Sequence, residues 1–391
     1  MRAAGLVVVV LAGCGRVGFD ARGAAGDDAG GDGDAATDAD PSPGCTGLGS
    51  LEAPVSYPAG ASPNDLAIAD FDADGVTDIA VANVTSSSIS LLYGLAGGGY
   101  ATPMGFTSGA NTLALEALDF DGNGTLDLVT ANFMAGDVAR LSNLGNRSFQ
   151  VVGQTPVAGG PYALAAADFS GDGKLDVAVT MYNGSAVQLL RTESNGTFGI
   201  EAGNATEASP IAVAAGDVDG DGRRDLVVSS YTGGLVGVMR YRGIGLLDLP
   251  VPYAVSTGPW GIALADMDGM NGLDIVVALA NTDSLAVLHN SGTGMFGAPM
   301  TVAVGAGPRG IAVADLNEDG RLDVAVATQT AGGVDVLIAR AGGGFEPRAP
   351  YPTALSPNAV AIADLDKDGA LDVVVANTGA NTVSVLRGIC R

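Results

Sequence analysis

One histidine, one tryptophan and three cysteines stand in a chain of 391 residues, and aromatic residues make up only 5% of it. With a single histidine and three cysteines, catalysis has thin support. His289 reads as a surface residue, and no Ser/His/Asp or Cys/His set can be assembled from the chain. Positive charge is scarce too: 18 Lys and Arg face 43 Asp and Glu, a formal charge of −25. Nucleic acids and anionic membrane surfaces select clustered Lys and Arg, so neither is an expected partner. No glycine loop follows a strand and opens a helix as phosphate cradles require. After residue 48 no segment of adequate length has helical period, which removes a helical solenoid.

What the chain does have is a repeat. Asp70, Asp119, Asp168, Asp217, Asp266, Asp315 and Asp364 follow one another in steps of 49 residues, without insertion or deletion. Seven such units account for 343 of the 391 residues. A unit this short cannot bury its own faces and must stack on its copies. Within the first unit, Leu66–Ala69 leads into an acidic loop, Ile79–Ala82 leaves it, Ile89–Tyr93 follows, and a Gly-rich turn precedes a fourth run through Tyr100–Phe106. Four short β-rich runs per repeat predict an all-β, seven-bladed β-propeller of four-stranded blades. Strands one and two are apolar on both faces, as a sheet covered on each side requires.

The last copy stops after its third strand, Val383–Leu386. Leu51-Glu52-Ala53-Pro54 aligns one period before Tyr100–Pro103, so the N-terminal strand is expected to complete the last blade and close the ring. One turn of the ring on, Cys45 falls at 388, two positions from Cys390. That predicts a disulfide between Cys45 and Cys390, provided the chain is exported to an oxidising compartment. Residues 45–391 form the expected propeller.

The remaining segment reads as an export and anchoring device. Met1-Arg2 and apolar Ala3–Val10 precede Leu11-Ala12-Gly13-Cys14. The apolar run is far below the roughly 20 residues that span a bilayer. Leu11–Cys14 resembles the lipobox of bacterial lipoproteins, which implies a signal peptide over 1–13 and lipidation of Cys14; an ordinary secretory signal is the alternative. Residues 14–44 are mostly Gly, Ala and Asp and are expected to be a flexible tether. Localisation at the bacterial cell envelope, with membrane contact through the lipid alone, follows from that reading.

Negative charge is concentrated in a few places: the seven loops hold 24 Asp and Gly15–Gly44 seven more, together 31 of the 43 acidic residues. The loop pattern is D-x-[DNS]-x-[DN]-G-x-x-D. It is fully acidic in Asp70, Asp72, Asp74, Asp78; in Asp217, Asp219, Asp221, Asp225; and in Asp364, Asp366, Asp368, Asp372. Neutral oxygens enter in Asp119, Asp121, Asn123, Asp127; in Asp168, Ser170, Asp172, Asp176; and in Asp315, Asn317, Asp319, Asp323. Hard oxygen ligands at alternate positions with a glycine turn suit Ca²⁺, and the carbonyls of Val76, Thr125, Lys174, Arg223, Arg321 and Ala370 would add another ligand each. An EF-hand needs an acid at position 12 inside a helix, whereas Val81 and Val179 stand there. The fifth loop, Asp266–Asp274, carries Met270 and a displaced glycine, and is expected to be weak or empty. About six structural calcium sites are therefore predicted.

The rim opposite these loops is where the repeats diverge. The residue leading into strand one is Asn64, Leu113, Tyr162, Ile211, Trp260, Arg309 or Asn358, and the one after strand two is Val84, Phe133, Tyr182, Tyr231, Ala280, Gln329 or Thr378. Trp260, Tyr162, Tyr182, Tyr231 and Phe133 make an aromatic arc that could stack on sugar rings or anchor a protein loop, with Arg309, Asn64 and Asn358 adding polar contacts. Inter-blade packing is the alternative.

These repeats resemble the FG-GAP/VCBS repeats of integrin α-subunit propellers and of many exported bacterial proteins. The naming element recurs as Gly294-Met295-Phe296-Gly297-Ala298-Pro299, as Gly196-Thr197-Phe198-Gly199 and as Gly344-Phe345-Glu346-Pro347. The resemblance implies structural calcium that rigidifies the hairpin between strands one and two, and a monomer acting in adhesion or in protein or carbohydrate recognition. A propeller lyase or hydrolase, and a passive envelope scaffold, remain as alternatives.

Overall fold

The computed structural model describes residues 48–201, 203–243, 245–270 and 272–390. The signal, the tether, Cys14 and Cys45 lie outside the described residues. Seven four-stranded antiparallel sheets are arranged as blades, and no helix occurs among the described residues. Blade one consists of Pro63–Ala69, Asp78–Asn83, Ser88–Leu92 and Met104–Thr107. The other blades repeat this order, with one irregularity: in blade three the fourth strand is split into Phe198–Ile200 and Asn204–Ala205.

The innermost strands touch in succession around the axis, and Pro357–Ala363 of blade seven meets Pro63–Ala69 of blade one. The ring is closed. Side-chain alternation explains how each blade grips two neighbours. Leu66, Ile68, Ile79 and Val81 pack with Val360, Ile362, Val373 and Val375 of blade seven. Ala67, Ala69, Ala80 and Ala82, on the opposite face, pack with Leu115, Leu128 and Leu141 of blade two. Small residues on one face thus receive large ones from the next blade. All of these are at most 2% exposed, and each large aliphatic side chain buried this way contributes about 1.5–3 kcal/mol.

The N-terminal strand closes the ring where the 49-residue step puts it, one step before Met104–Thr107 of blade one. Val55–Pro58, not Leu51–Pro54, is the fourth strand of blade seven, pairing with Thr382–Leu386. Leu51 does match Tyr100, but as half of a small bridge: Leu51 pairs with Gly388 as Tyr100 pairs with Gly94. Leu48–Leu51 and Gly388–Cys390 form a second, two-stranded seam at the same place. Proline is tolerated in these outer strands, at Pro58, Pro252 and Pro352, because a blade edge needs no ladder donor there.

Every first strand begins with a bulge. The register slips between Pro63 and Asp65, and at the same point in the other six blades. The residue leading into strand one sits at that slip, where a bulge re-aims side chains.

Candidate metal centres and an aromatic rim

The acidic loops join strands one and two of each blade, and backbone amides fold them onto their own carboxylates. Asp70 accepts hydrogen bonds from Asp74 N at 3.2 Å and Gly75 N at 2.9 Å, and Asp74 Oδ1 accepts one from Val76 N at 2.8 Å. The sixth position needs a left-handed backbone: Gly75 has φ of 85° and Gly369 94°. The seventh residues Thr125, Lys174, Arg223, Arg321 and Ala370 donate to the fifth-position side chain as Val76 does.

The ninth-position Asp is buried and bridges two segments. Asp78 Oδ2 accepts Phe71 N at 2.9 Å and its Oδ1 accepts Gly94 N, on the third strand's end, at 2.8 Å. Asp225 does the same with Val218 N and Tyr241 N. Burial pushes the Asp78 carboxyl up to about 7, against the lowering effect of its backbone donors; Asp72 and Asp70 raise it further. Burial likewise lifts Asp127, Asp225, Asp323 and Asp372 to about 6 and moves Asp176 and Asp274 upward.

Carboxylates at positions one, three and nine converge. In blades one, two, four and seven one oxygen from each lies within 4.8 Å of the others, a spacing that a single Ca²⁺ with bonds of about 2.3–2.6 Å can bridge. These Asp groups could hold a metal ion. Blades three and six place Ser170 and Asn317 at the third position, so their donor sets carry less charge. In the fifth blade Asp268 and Asp274 converge with His289, a mixed set unlike the others. His289 is therefore not a bystander on the surface. Its Nδ1 lies 3.1 Å from Asp274 and 3.3 Å from Asp268.

Basic side chains also meet the loops, a feature the motif alone does not reveal. Arg147 of blade two reaches Asp72 at 2.5 Å and Asp74 at 3.4 Å in blade one, its guanidinium over the Tyr93 ring. Arg223 and Arg321 pair with Asp221 and Asp319 within their own loops. Arg387 lies 2.7 Å from Asp372 and 3.3 Å from Asp366. Arg147 follows its partners by 73 and 75 residues and Arg387 by 15 and 21, separations beyond the nine-residue motif.

At the start of the first strands, the five aromatic residues form one cluster. Tyr162 and Tyr182 stack at 5.6 Å, with Phe133 edge-on to both at 6.3 Å. Tyr162 meets Trp260 at 6.5 Å although blade four lies between their blades, and Tyr231 meets Trp260 at 5.4 Å. The Arg309 guanidinium lies 3.6 Å from the Trp260 ring centroid, and Gln329 Oε1 accepts from its Nε and Nη2. All six side chains are half-buried. Asn64 and Asn358 do something else. Asn64 Nδ2 donates to Leu113 O, and Asn358 Nδ2 donates to Asn64 O, stitching blade seven to one and one to two.

Blades of repeated four-stranded sheets closed into a ring, each with an acidic loop between its inner strands, define a repeat β-propeller. The model of the FG-GAP-like repeat matches residues 70–130, 119–179, 168–228, 217–277, 266–326 and 315–375, and the chain belongs to that family. No curated protein matches the chain significantly. Among solved structures it is similar to BBS1N in complex with ARL6DN, at 12% identity, a TM-score of 0.61, and coverage of 88% of this chain and 98% of that one. Virginiamycin B lyase from Staphylococcus aureus is similar at 14% identity and a TM-score of 0.57, covering 87% and 99%. An Agrocybe aegerita lectin that recognises non-reducing terminal N-acetylglucosamine is similar at 20% identity and a TM-score of 0.50, covering 78% and 80%. At these identities the likeness is one of fold.

Proposed function

We propose that this chain is a calcium-stabilised, exported propeller that binds a protein or carbohydrate ligand through its aromatic rim. The observation that carries the reading is the contiguous half-buried cluster of Phe133, Tyr162, Tyr182, Tyr231 and Trp260 under Arg309, drawn from four blades of a chain poor in aromatics. Stacked rings with a cation at one end suit a sugar face or an inserted side chain. The positions leading into strand one contribute no carboxylate, imidazole or thiol, which is why binding is preferred here to hydrolysis or lyase chemistry. Calcium at the acidic loops is supported by the carboxylates of positions one, three and nine, which come within 4.8 Å of one another in single loops of blades one, two and four.

Export and anchoring rest on Leu11–Cys14, and a Cys45–Cys390 disulfide would fasten the seam, because Cys45 precedes Leu48 by three residues and the Leu48 backbone pairs with that of Cys390. The domain is read as a monomer. The double substitution Trp260→Ala, Tyr182→Ala is expected to lower glycan-array or envelope pull-down binding at least tenfold while calcium binding persists. Retained binding by the double variant would refute the rim as the site. If neither protein captures anything, the scaffold reading takes its place.

A further inference from the structure

The seven loops differ at one place that their motifs do not include. The residue fifteen positions after the ninth-position Asp ends the third strand beside the loop: Tyr93, Ser142, Arg191, Arg240, His289, Ile338 and Arg387 in blades one to seven. Tyr93, Ser142 and Ile338 bring no charge. Arg191 turns away to Glu193, and Arg240 gives its Nη2 to Thr293 O and Gly294 O of the next blade, its Nε standing 3.5 Å from Asp219 alone. Arg387 behaves differently. Its Nη1 lies between the third- and ninth-position carboxylates, Asp366 and Asp372.

We propose that the seventh loop, whose motif is complete, carries the Arg387 guanidinium as its cation and takes no calcium. Asp372 accepts three donors, from Gly388 N at 2.7 Å, Leu365 N at 3.0 Å and Arg387 Nη1 at 2.7 Å. Asp78 and Asp225 accept two each. A carboxylate has about four acceptor sites, so Asp372 keeps little for a metal bond. An ion within coordinating distance of Asp366 and Asp372 would also have to stand where Nη1 does, against its positive charge. Arg387 is not free to leave. Its side chain is only 20% exposed, its carbonyl accepts Glu52 N at 2.7 Å, and the following residue is tied to Asp372. A second cation, Lys367, leads from the same loop to the Gly75 carbonyl of blade one.

This inference rests on the calcium reading of the other loops, and the experiment separates the two. Calcium per molecule would be counted by native mass spectrometry on the metal-stripped, reloaded full chain and on three variants. Asp221→Ala in blade four is expected to lose one ion, Asp368→Ala in blade seven to lose none, and Arg387→Gln to gain one. Loss of an ion from Asp368→Ala overturns the proposal while leaving the calcium reading intact, and does so even if Arg387→Gln fails to fold. A chain that binds no calcium with or without Arg387→Gln overturns both.

Discussion

The ninth-position aspartates decide how this molecule responds to acid. An ordinary carboxyl titrates near 3.8, whereas burial holds Asp78 near 7 and Asp127, Asp225, Asp323 and Asp372 near 6 in the folded chain. The folded state without metal therefore binds more protons than the unfolded one between about pH 4 and 7, and its stability falls as pH rises through that window. Calcium acts in the opposite sense, because its ligands must be ionised. The expected result is a melting temperature that rises by several degrees in chelator from pH 8 to pH 5.5, while the gap between calcium-loaded and chelated protein narrows over the same range. Differential scanning calorimetry at fixed ionic strength would read both. A gap that widens on acidification would mean that these carboxyls are not the calcium ligands. The aspartates themselves were legible in the sequence, since alternate acids around a glycine admit few other readings. What faces them was not: Arg147 reaches blade one from blade two, and although His289 and Arg387 stand at the constant fifteen-residue step after the ninth-position Asp, only the fold shows that this step returns to the loop.

The strand that matters most is the one taken from the other end of the chain. Val55–Pro58 places four residues on Thr382–Leu386, and Tyr57 sets its ring edge-on to Tyr100 at 5.2 Å. Removing residues 1–58 would strip that strand and leave the last blade with a bare edge, which is an invitation to pair with another copy. Such a truncation is expected to lose about 2–6 kcal/mol at roughly 0.5–1.5 kcal/mol per hydrogen bond, and to elute from size exclusion with light scattering as dimers or larger species. A monomeric truncation of unchanged stability would show that the strand is dispensable for closure. The 49-residue step located every blade because identical spacing forces identical strands. It placed the closing strand too, since Val55–Pro58 stands one step before Met104–Thr107; what spacing does not tell is that Leu51, like Tyr100, is a bridge residue and that the ladder starts four positions later. Asn64 and Asn358 looked like candidate ligand contacts for a similar reason: their partners are backbone carbonyls of the adjacent blade, which no side-chain pattern encodes.

At the scale of the whole ring, closure and metal binding are separate devices. The seam is made twice in blade seven, by Val55–Pro58 and by Leu48–Leu51. The loop beside it is the one that Arg387 neutralises. On the calcium reading proposed above, the converging carboxylates of blades one, two and four take an ion, and a ligand that binds only the folded chain stabilises it by about 2.7 kcal/mol per site at a hundred times its Kd. Chelation should therefore lower the melting temperature markedly without opening the ring first at its join. Apart from the Tyr162–Trp260 ring contact, packing between blades runs mainly from each to its neighbours, so local loosening is allowed to be uneven. Amide exchange in chelator is expected to speed up at least tenfold in Asp127–Asn132 and Asp225–Ser230, and to stay nearly unchanged in Asp372–Asn377. Equal acceleration in all seven second strands would mean that the ring loosens as one body and that the seam has no protection of its own. If instead Asp372–Asn377 were the first to exchange, the seventh loop would depend on calcium like the rest, and Arg387 would be a neighbour to the ion rather than its substitute.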